Sequence, residues 1–361
     1  MYKSGDIKWM KRTLNLASLG QGLTSPNPLV GAIILDKNGK LISEGFHHRA
    51  GMPHAEAMAF ENLRGDPIGG SLYVNLEPCC HYGKTPPCVE KIIESGIKVV
   101  YISIKDPDKR VSGKGIQILR ESGIKVYVGL CELEARELNK AFIYRNLNSM
   151  SFGTLKWAMS IDGRLGLKNG ESKWVTNCLS RSKVHSLRAS YDAIVIGGNT
   201  LRKDDPLLTT RGLKEKEPLR IVLTKSLNLP EKWNLWDTKV AKTIVVYEET
   251  LGNKDLINRI PSSVELLRLP LANPKSLSKF LAERGCNSVL WECGPKLATA
   301  ALKEGCIQEI ITFIAPKIIG GVPAMTPIED LNLNKMEDVV HLKTQDLKLF
   351  NDDICVKSIV C

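Results

Sequence analysis

Metal-donor side chains fall into two short segments of the first hundred residues, and that arrangement limits the fold more than any other feature of the chain. The first segment is Pro53-His54-Ala55-Glu56. The second runs Glu77-Pro78-Cys79-Cys80-His81-Tyr82 and closes at Pro86-Pro87-Cys88. One His and two Cys can hold zinc with three protein bonds and leave a fourth tetrahedral position for water. Such a water loses its proton near neutral pH. Glu56, two residues past His54, stands ready to move protons without being a ligand. For one ion to be shared, helix-length sequence after His54 must meet the end of a strand before Pro78. His54 alone would read as a satisfied surface or core side chain; the group of four reads as a metal site. Residue type leaves the choice of sulfurs open. Neighbouring Cys79 and Cys80 point different ways, so one of them reaches the ion, and His81 reads as a substrate or outlying group.

A chain of 361 residues exceeds one ordinary core, so two domains are expected. Hydrophobic content of 43% and charged content of 25% are those of a globular protein. No signal-peptide pattern is read at Met1–Asp6, and no apolar run approaches the roughly 20 residues of a membrane helix. Of ten cysteines, three cluster in the metal stretch and the rest are scattered, which reads as reduced thiols and a cytoplasmic location. The net charge of +11 suits nucleic acid, anionic lipid or a phosphorylated small molecule. It is spread evenly over both halves without a long Lys/Arg block, which argues against a nucleic-acid arm.

In order, periodicity predicts a helix over 6–20 with Ile7, Met10, Leu14 and Ala17 on one face, then a loop at Thr24-Ser25-Pro26-Asn27-Pro28. Strands are expected at 30–35 and 41–45 around a turn at 36–40, a helix after His54, and strands at 71–75, 99–104 and 125–128 alternating with helices at 89–95 and 115–122. A single helix over 132–148 leads to a boundary near 148–151. The second half predicts strands at 154–159, 193–196, 220–224, 243–247, 264–268, 288–292, 308–314 and 354–358. Its helices are expected at 180–189, 273–284 and 296–304, with a glycine turn at 197–200. This is α/β sequence throughout, divided as 1–148 and 149–361, with no internal repeat.

The first half resembles the zinc nucleobase deaminases, whose layout is His-x-Glu followed by Pro-Cys-x-x-Cys. It departs from that short form, because Tyr82 stands three residues after Cys79. The longer form, Glu-Pro-Cys followed by His81, Gly83, Thr85, Pro86, Pro87 and Cys88, resembles one family closely. That family is the bifunctional riboflavin biosynthesis proteins, a pyrimidine deaminase fused to a reductase. The resemblance implies His54, Cys79 and Cys88 as the ligands of one zinc ion, Cys80 as a bystander and Glu56 as the catalytic proton carrier. It implies substrate contacts from Asn27, in Ser25-Pro26-Asn27-Pro28-Leu29-Val30-Gly31, and from Asp106. The loop Asp106–Gly115 departs from the family at Asp108 and Lys109.

The second half matches the same family at Lys156–Arg164, Gly170–Thr176, His185–Arg188, Gly197–Arg211 and Trp291–Leu297. Residue by residue, Gly-Gly after a strand is weak evidence of a ligand site, and no G-x-G-x-x-G occurs. The resemblance implies a dihydrofolate-reductase-like domain using NADPH, after a three-layer α/β/α cytidine-deaminase-like domain. It implies that Ser172, Arg188, Leu208 and Arg211 hold the phosphorylated sugar, two Arg forks suiting a phosphate. Ala158, Trp174, Thr200 and Gly294 match cofactor positions, and Asp204 and Glu292 sit where both ligands meet. Lys225 replaces an expected cofactor-contacting Ser. The implied chemistry is deamination of 2,5-diamino-6-ribosylamino-4(3H)-pyrimidinone 5′-phosphate, then reduction of ribosyl to ribityl. The implied partners are that phosphorylated aminopyrimidine and a second copy paired through the reductase domain, with neither nucleic acid nor membrane. The competing reading is an RNA-editing zinc deaminase with a C-terminal RNA-binding domain.

Overall fold

A computed structural model describes residues 4–82, 86–108, 112–249, 254–321 and 324–361. Lys109 and the Gly83–Thr85 part of the cysteine loop lie outside the described residues. The chain separates into two compact units, Met1–Asn148 and Ser149–Cys361.

The first unit runs α1 (Ser4–Ser18), β1 (Gly31–Leu35), β2 (Leu41–Phe46), α2 (Ala55–Glu61), β3 (Ser71–Leu76), α3 (Cys88–Glu94), β4 (Val99–Ile104), α4 (Lys114–Glu121), β5 (Lys125–Val128), α5 (Glu132–Leu138) and α6 (Lys140–Asn148). Its sheet has the order β2-β1-β3-β4-β5. β1 is antiparallel to β2 and β3, and β3, β4 and β5 are parallel. Alternate strand residues serve opposite faces. Ala32, Ile34, Leu72, Val74, Val100 and Ile102 pack against α2, α3 and α4. Ile33, Leu35 and Tyr73 face Met10 of α1, and at the ends of β3 and β4 Leu76 and Ile104 cluster with Leu14, Ala135 and Phe142. Each such side chain contributes about 1.5–3 kcal/mol by leaving water. Helices therefore cover both faces, in three layers. Gly45 lets α2 lie directly on β2: a Cβ there would stand 2.5 Å from the Ala59 nitrogen.

Two expectations fail here. Ile7 is 39% exposed; its place on the buried face goes to Thr13, whose hydroxyl is satisfied by the Trp9 carbonyl at 3.0 Å. The helix over 132–148 is two helices, broken at Asn139. That buried amide accepts from the Leu29 N–H and donates to the Leu29 carbonyl, so it pins the Asn27 loop and interrupts the helix.

The second unit runs β6 (Phe152–Ser160), α7 (Cys178–Arg188), β7 (Ala193–Gly197), α8 (Gly198–Asp204), β8 (Leu219–Leu223), β9 (Thr243–Glu248), α9 (Lys254–Asn258), β10 (Glu265–Leu269), α10 (Pro274–Glu283), β11 (Ser288–Trp291), α11 (Pro295–Lys303), β12 (Glu309–Ala315), β13 (Leu342–Phe350) and β14 (Asp353–Val360). The strand order is β10-β9-β8-β7-β11-β6-β12-β14-β13. All neighbours from β10 to β12 are parallel, and β14 and β13 join antiparallel. The chain builds outward from β7 to β10, then returns to insert β11 between β7 and β6. The carboxyl ends flanking such a reversal form a ligand crevice. The expected glycine turn at 197–200 is instead the start of α8. The strand β13 and the short helix α9 escaped the sequence reading. No helix among the described residues is long and apolar enough to cross a membrane.

Candidate functional site

In the first unit three elements deliver one donor each. His54 caps α2 with extended backbone (φ −68, ψ 162), so its ring projects ahead of the helix. Cys79 follows the end of β3, and Cys88 opens α3. The His54 Nδ1 lies 3.5 Å from the Cys79 Sγ and 3.4 Å from the Cys88 Sγ. Two donors at zinc-bond lengths and a tetrahedral angle stand roughly 3.5 Å apart, so the set fits zinc. The Cys88 N–H, at the start of α3, donates to the Cys79 Sγ at 3.3 Å. Cys80 instead packs against the apolar core between β3 and α3, and His81 is exposed.

The donors share negative charge. The hydrogen bond from Cys88, with those from His54 and the Cys88 backbone, holds the Cys79 thiol down at about 4. The same Cys79–Cys88 bond, and burial, push Cys88 well up. Burial lifts Glu56 to about 7, with the Cys79 charge adding to it. Glu56 is 4% exposed and sits in the first turn of α2. A carboxyl balanced near neutrality suits proton transfer.

Asn27 reaches the same place: its Nδ2 lies 3.0 Å from the His47 Nε2. His47 in turn bonds the Pro53 carbonyl through Nδ1 at 3.0 Å, and its ring stands edge-on to His54. The sequence reading missed His47; its position directly after β2 and shortly before His54 was the available signal. Asp106 is lifted to about 6 by burial, and its carboxylate accepts the Asp108 N–H at 2.8 Å.

In the second unit the register explains the centre. Trp291 pairs with Leu155 across β11 and β6, so Glu292 and Lys156 come side by side. Glu292 accepts two bonds from Arg188, from Nε at 2.7 Å and Nη2 at 3.0 Å, and Lys156 Nζ lies 3.7 Å away. Burial alone would raise Glu292, but the Arg188 and Lys156 charges override it and hold its carboxyl at about 2. Burial lowers Lys156. Arg188 Nη1 donates to the Thr209 carbonyl, which also meets the His185 ring. The Arg188 Nε and Nη2 edge that the resemblance assigns to the phosphorylated sugar meets Glu292 in this structure. Burial, then the Arg188 and Arg211 charges, lower His185, so Arg211 belongs to the same neighbourhood. Arg211 itself is exposed.

Asp205, Leu208 and Arg211 have left-handed backbone (φ 40, 51 and 55), a conformation that non-glycine residues adopt at a cost. Thr200, in the first turn of α8, and Gly294, which caps α11, face each other: a Cβ on Gly294 would meet the Thr200 Oγ1 at 3.8 Å and nothing nearer. Two helix N-termini around open space suit a cofactor phosphate. Ala158 packs beside Val184 and Phe313. Trp174 is exposed, with the Arg181 guanidinium 4.5 Å from its ring. Ser172 is half-buried, and Asp204 lies at the exposed end of α8 with Lys173 and Lys203 as its nearest charges. Lys156 is the group here that the sequence reading quoted but gave no role.

Comparison with known proteins agrees over the whole chain. Residues 3–104 match the cytidine and deoxycytidylate deaminase zinc-binding region, and residues 151–356 match the RibD C-terminal domain. The chain is 43% identical to riboflavin biosynthesis protein RibD of Synechocystis, over 99% of this chain and 96% of that one. Against RibD of Aquifex aeolicus it is 40% identical over 99% of both. The solved structure of Acinetobacter baumannii RibD superposes with a TM-score of 0.88 at 35% identity, covering 99% of each chain. The diaminohydroxyphosphoribosylaminopyrimidine deaminase/5-amino-6-(5-phosphoribosylamino)uracil reductase of Thermotoga maritima does so with 0.88 at 34%, again over 99% of each. The match of the second half is to a reductase-family domain, which leaves the RNA-binding alternative without support. A cytidine-deaminase-like unit with a zinc-fitting His-Cys-Cys set is thus joined to a reductase unit that uses NADPH, and the chain belongs to the RibD family of bifunctional deaminase–reductases of riboflavin biosynthesis.

Proposed function

We propose that residues 1–148 deaminate 2,5-diamino-6-ribosylamino-4(3H)-pyrimidinone 5′-phosphate, and that residues 149–361 reduce the ribosyl group of the product to ribityl. The observation that carries this is the convergence of His54 Nδ1, Cys79 Sγ and Cys88 Sγ within 4.8 Å of one another, with buried Glu56 beside them. Those three residues would hold one zinc ion, which would supply Lewis acidity and a water of lowered pKa. Glu56 takes a proton from the attacking water and returns protons to the ring nitrogen and the leaving amine. A C–O bond forms, a C–N bond breaks, and ammonia departs. Asn27, oriented by His47, and Asp106 hold the pyrimidine edge.

In the second unit Ala158, Trp174, Thr200, Asp204 and Gly294 would border NADPH, which would supply hydride. Ser172, Arg188, Asp204, Leu208, Arg211 and Glu292 hold the phosphorylated sugar, with Arg188 oriented by its two bonds to Glu292. Reduction places a hydride on C1′ and a proton on the ring oxygen that C1′ releases. Lys156, half-buried and lowered by desolvation, is placed to give the proton. The protein works in the cytoplasm. It pairs with a second copy through the reductase unit, where the edge strand β13 leaves Leu347 60% and Leu349 66% exposed. Zinc analysis together with ammonia release and NADPH oxidation on the phosphorylated pyrimidine tests the reading. Absence of either activity in zinc-loaded protein refutes the corresponding half, and a monomer in sedimentation refutes the pairing.

A further inference from the structure

Glu77 is a buried carboxylate that the steps above leave without a task. It is 3% exposed and sits two residues before Cys79. Among the described residues no cation pairs with it. Burying a carboxylate is costly unless hydrogen bonds replace its water, and here they all come from one place. Its Oε2 accepts the Gly113 N–H at 2.8 Å and the Asp106 N–H at 3.2 Å. Its Oε1 accepts the Ile116 N–H at 3.2 Å. These donors belong to the connection from β4 to α4 and to the first turn of α4. The Glu77 N–H is itself fixed on the Ile104 carbonyl at 3.0 Å. The same connection approaches so closely that a Cβ on Gly115 would stand 2.3 Å from the Pro78 carbonyl oxygen.

We propose that Glu77 is a positioning residue for deamination, setting the distance between the segment that carries Cys79 and the loop that carries Asp106. The proposal rests on the deaminase reading of the site. A carboxylate is required because it only accepts: it can serve three N–H groups at once, whereas the amide of Gln turns a donor toward at least one of them. Without the anchor the Asp106 loop drifts from the metal ligands. A displaced substrate-holding group loses binding contacts, which raises KM while the metal ligands stay in place.

The test compares wild type and Glu77→Gln as full-length, zinc-loaded protein. Zinc per chain, deaminase KM and kcat, reductase kinetics on already deaminated substrate, and hydrogen exchange at Gly113 and Ile116 are measured. Zinc content and reductase kinetics should be unchanged. Deaminase KM should rise about ten-fold or more, kcat should fall less, and both amides should exchange faster. Gly115→Ala, which pushes the same loop from Pro78 and leaves the carboxylate intact, should give the same pattern, and it carries the test if Glu77→Gln does not fold. An unchanged KM overturns the proposal whatever the exchange shows. Loss of zinc in step with loss of deamination also overturns it, since Glu77 would then support only the metal segment. Wild-type protein that binds zinc but releases no ammonia would sink the reading of the site instead, and that outcome is separate from a working wild type beside an unaffected variant.

Discussion

The two units gather charge of opposite sign. Around His54 the first unit collects two sulfurs and a buried carboxylate, Glu56, with no Lys or Arg joining the cluster among the described residues. Around Glu292 the second unit collects Arg188, Lys156 and, nearby, Arg211. One cluster is short of positive charge and is completed by a cation. The other has a surplus of positive charge, which suits an anionic ligand. The supporting frames show the same inversion. Glu77 accepts backbone N–H groups under the first site, whereas fully buried Arg220 donates to the carbonyls of Leu207, Leu235, Asp237 and Ala241 beneath the loop that holds Leu208 and Arg211. Thus one chain builds two ligand sites from the same α/β layers by choosing which backbone groups its buried charges satisfy.

The strongest way to break the comparison is to remove the cation or a donor. Cys79→Ser and Cys88→Ser should each strip most of the zinc and abolish deamination, since a hydroxyl binds zinc far more weakly than a thiolate. Cys80→Ser should keep both. The melting transition of the first unit should fall in the two damaged variants, while reductase kinetics on deaminated substrate stay at wild-type values. A Cys80→Ser variant that loses the metal while Cys79→Ser keeps it would move the ligand by one residue. Next in size is Glu56→Gln, which removes the proton carrier and no ligand. Ammonia release should fall on the order of 10²–10⁴-fold with zinc retained; near-normal release would end the role given to Glu56.

The first site was far more legible than the second, for a physical reason. Metal donors are few residue types with strict geometry, so His54, Glu56 and the cysteine cluster of 79–88 stand out from spacing, and the strand and helix around them follow from periodicity. Choosing Cys79 over Cys80 needs the resemblance, because only the fold shows Cys80 packed against the apolar cluster rather than beside His54. His47 escaped because a lone His after a strand looks ordinary until Asn27 is seen against it. In the second unit the centre joins residues more than a hundred positions apart, and no spacing records that Arg188 meets Glu292. Spacing therefore gives no sign that Arg188 and Lys156 share one carboxylate. The break at Asn139 was equally hidden: its cause is a tertiary bond to Leu29 that overrides helix propensity.

The second unit's centre can be broken from within. Glu292→Gln leaves Arg188 and Lys156 as buried cations without a counter-charge and should cost that unit about 3–5 kcal/mol, with reductase activity lost and deamination kept. Acid should do the same more gradually. The folded carboxyl, at about 2, lies below its ordinary 4.5, so its contribution is complete above about pH 4.5 and is lost as pH falls toward 2. In wild type the second unit's melting temperature should therefore drop across that window, and in Glu292→Gln the drop should be smaller. Equal slopes in the two proteins would mean that the pair does not govern acid stability.

The finest division lies between the two arginines. Arg188 is committed to Glu292 and to the Thr209 carbonyl, whereas Arg211 is exposed on a left-handed residue of the neighbouring loop. If Arg211 grips the phosphate, Arg211→Ala removes a charge-assisted contact of roughly 1.5–3 kcal/mol. Reductase KM for the phosphorylated substrate should then rise about one to two orders of magnitude. A dephosphorylated analogue, bound poorly by wild type, should lose little more. Arg188→Ala acts differently, because it strands Glu292 rather than the phosphate. It should lower turnover on both substrates by similar factors and destabilise the second unit. Steady-state kinetics with the two substrates separate the cases. Equal losses on both substrates for Arg211→Ala, or none on either, would return it to the class of exposed surface charges worth about 0–1 kcal/mol. A phosphate-selective loss for Arg188→Ala would mean that the fork leaves Glu292 when substrate arrives, and that the positive surplus of this unit is held in reserve by its own carboxylate.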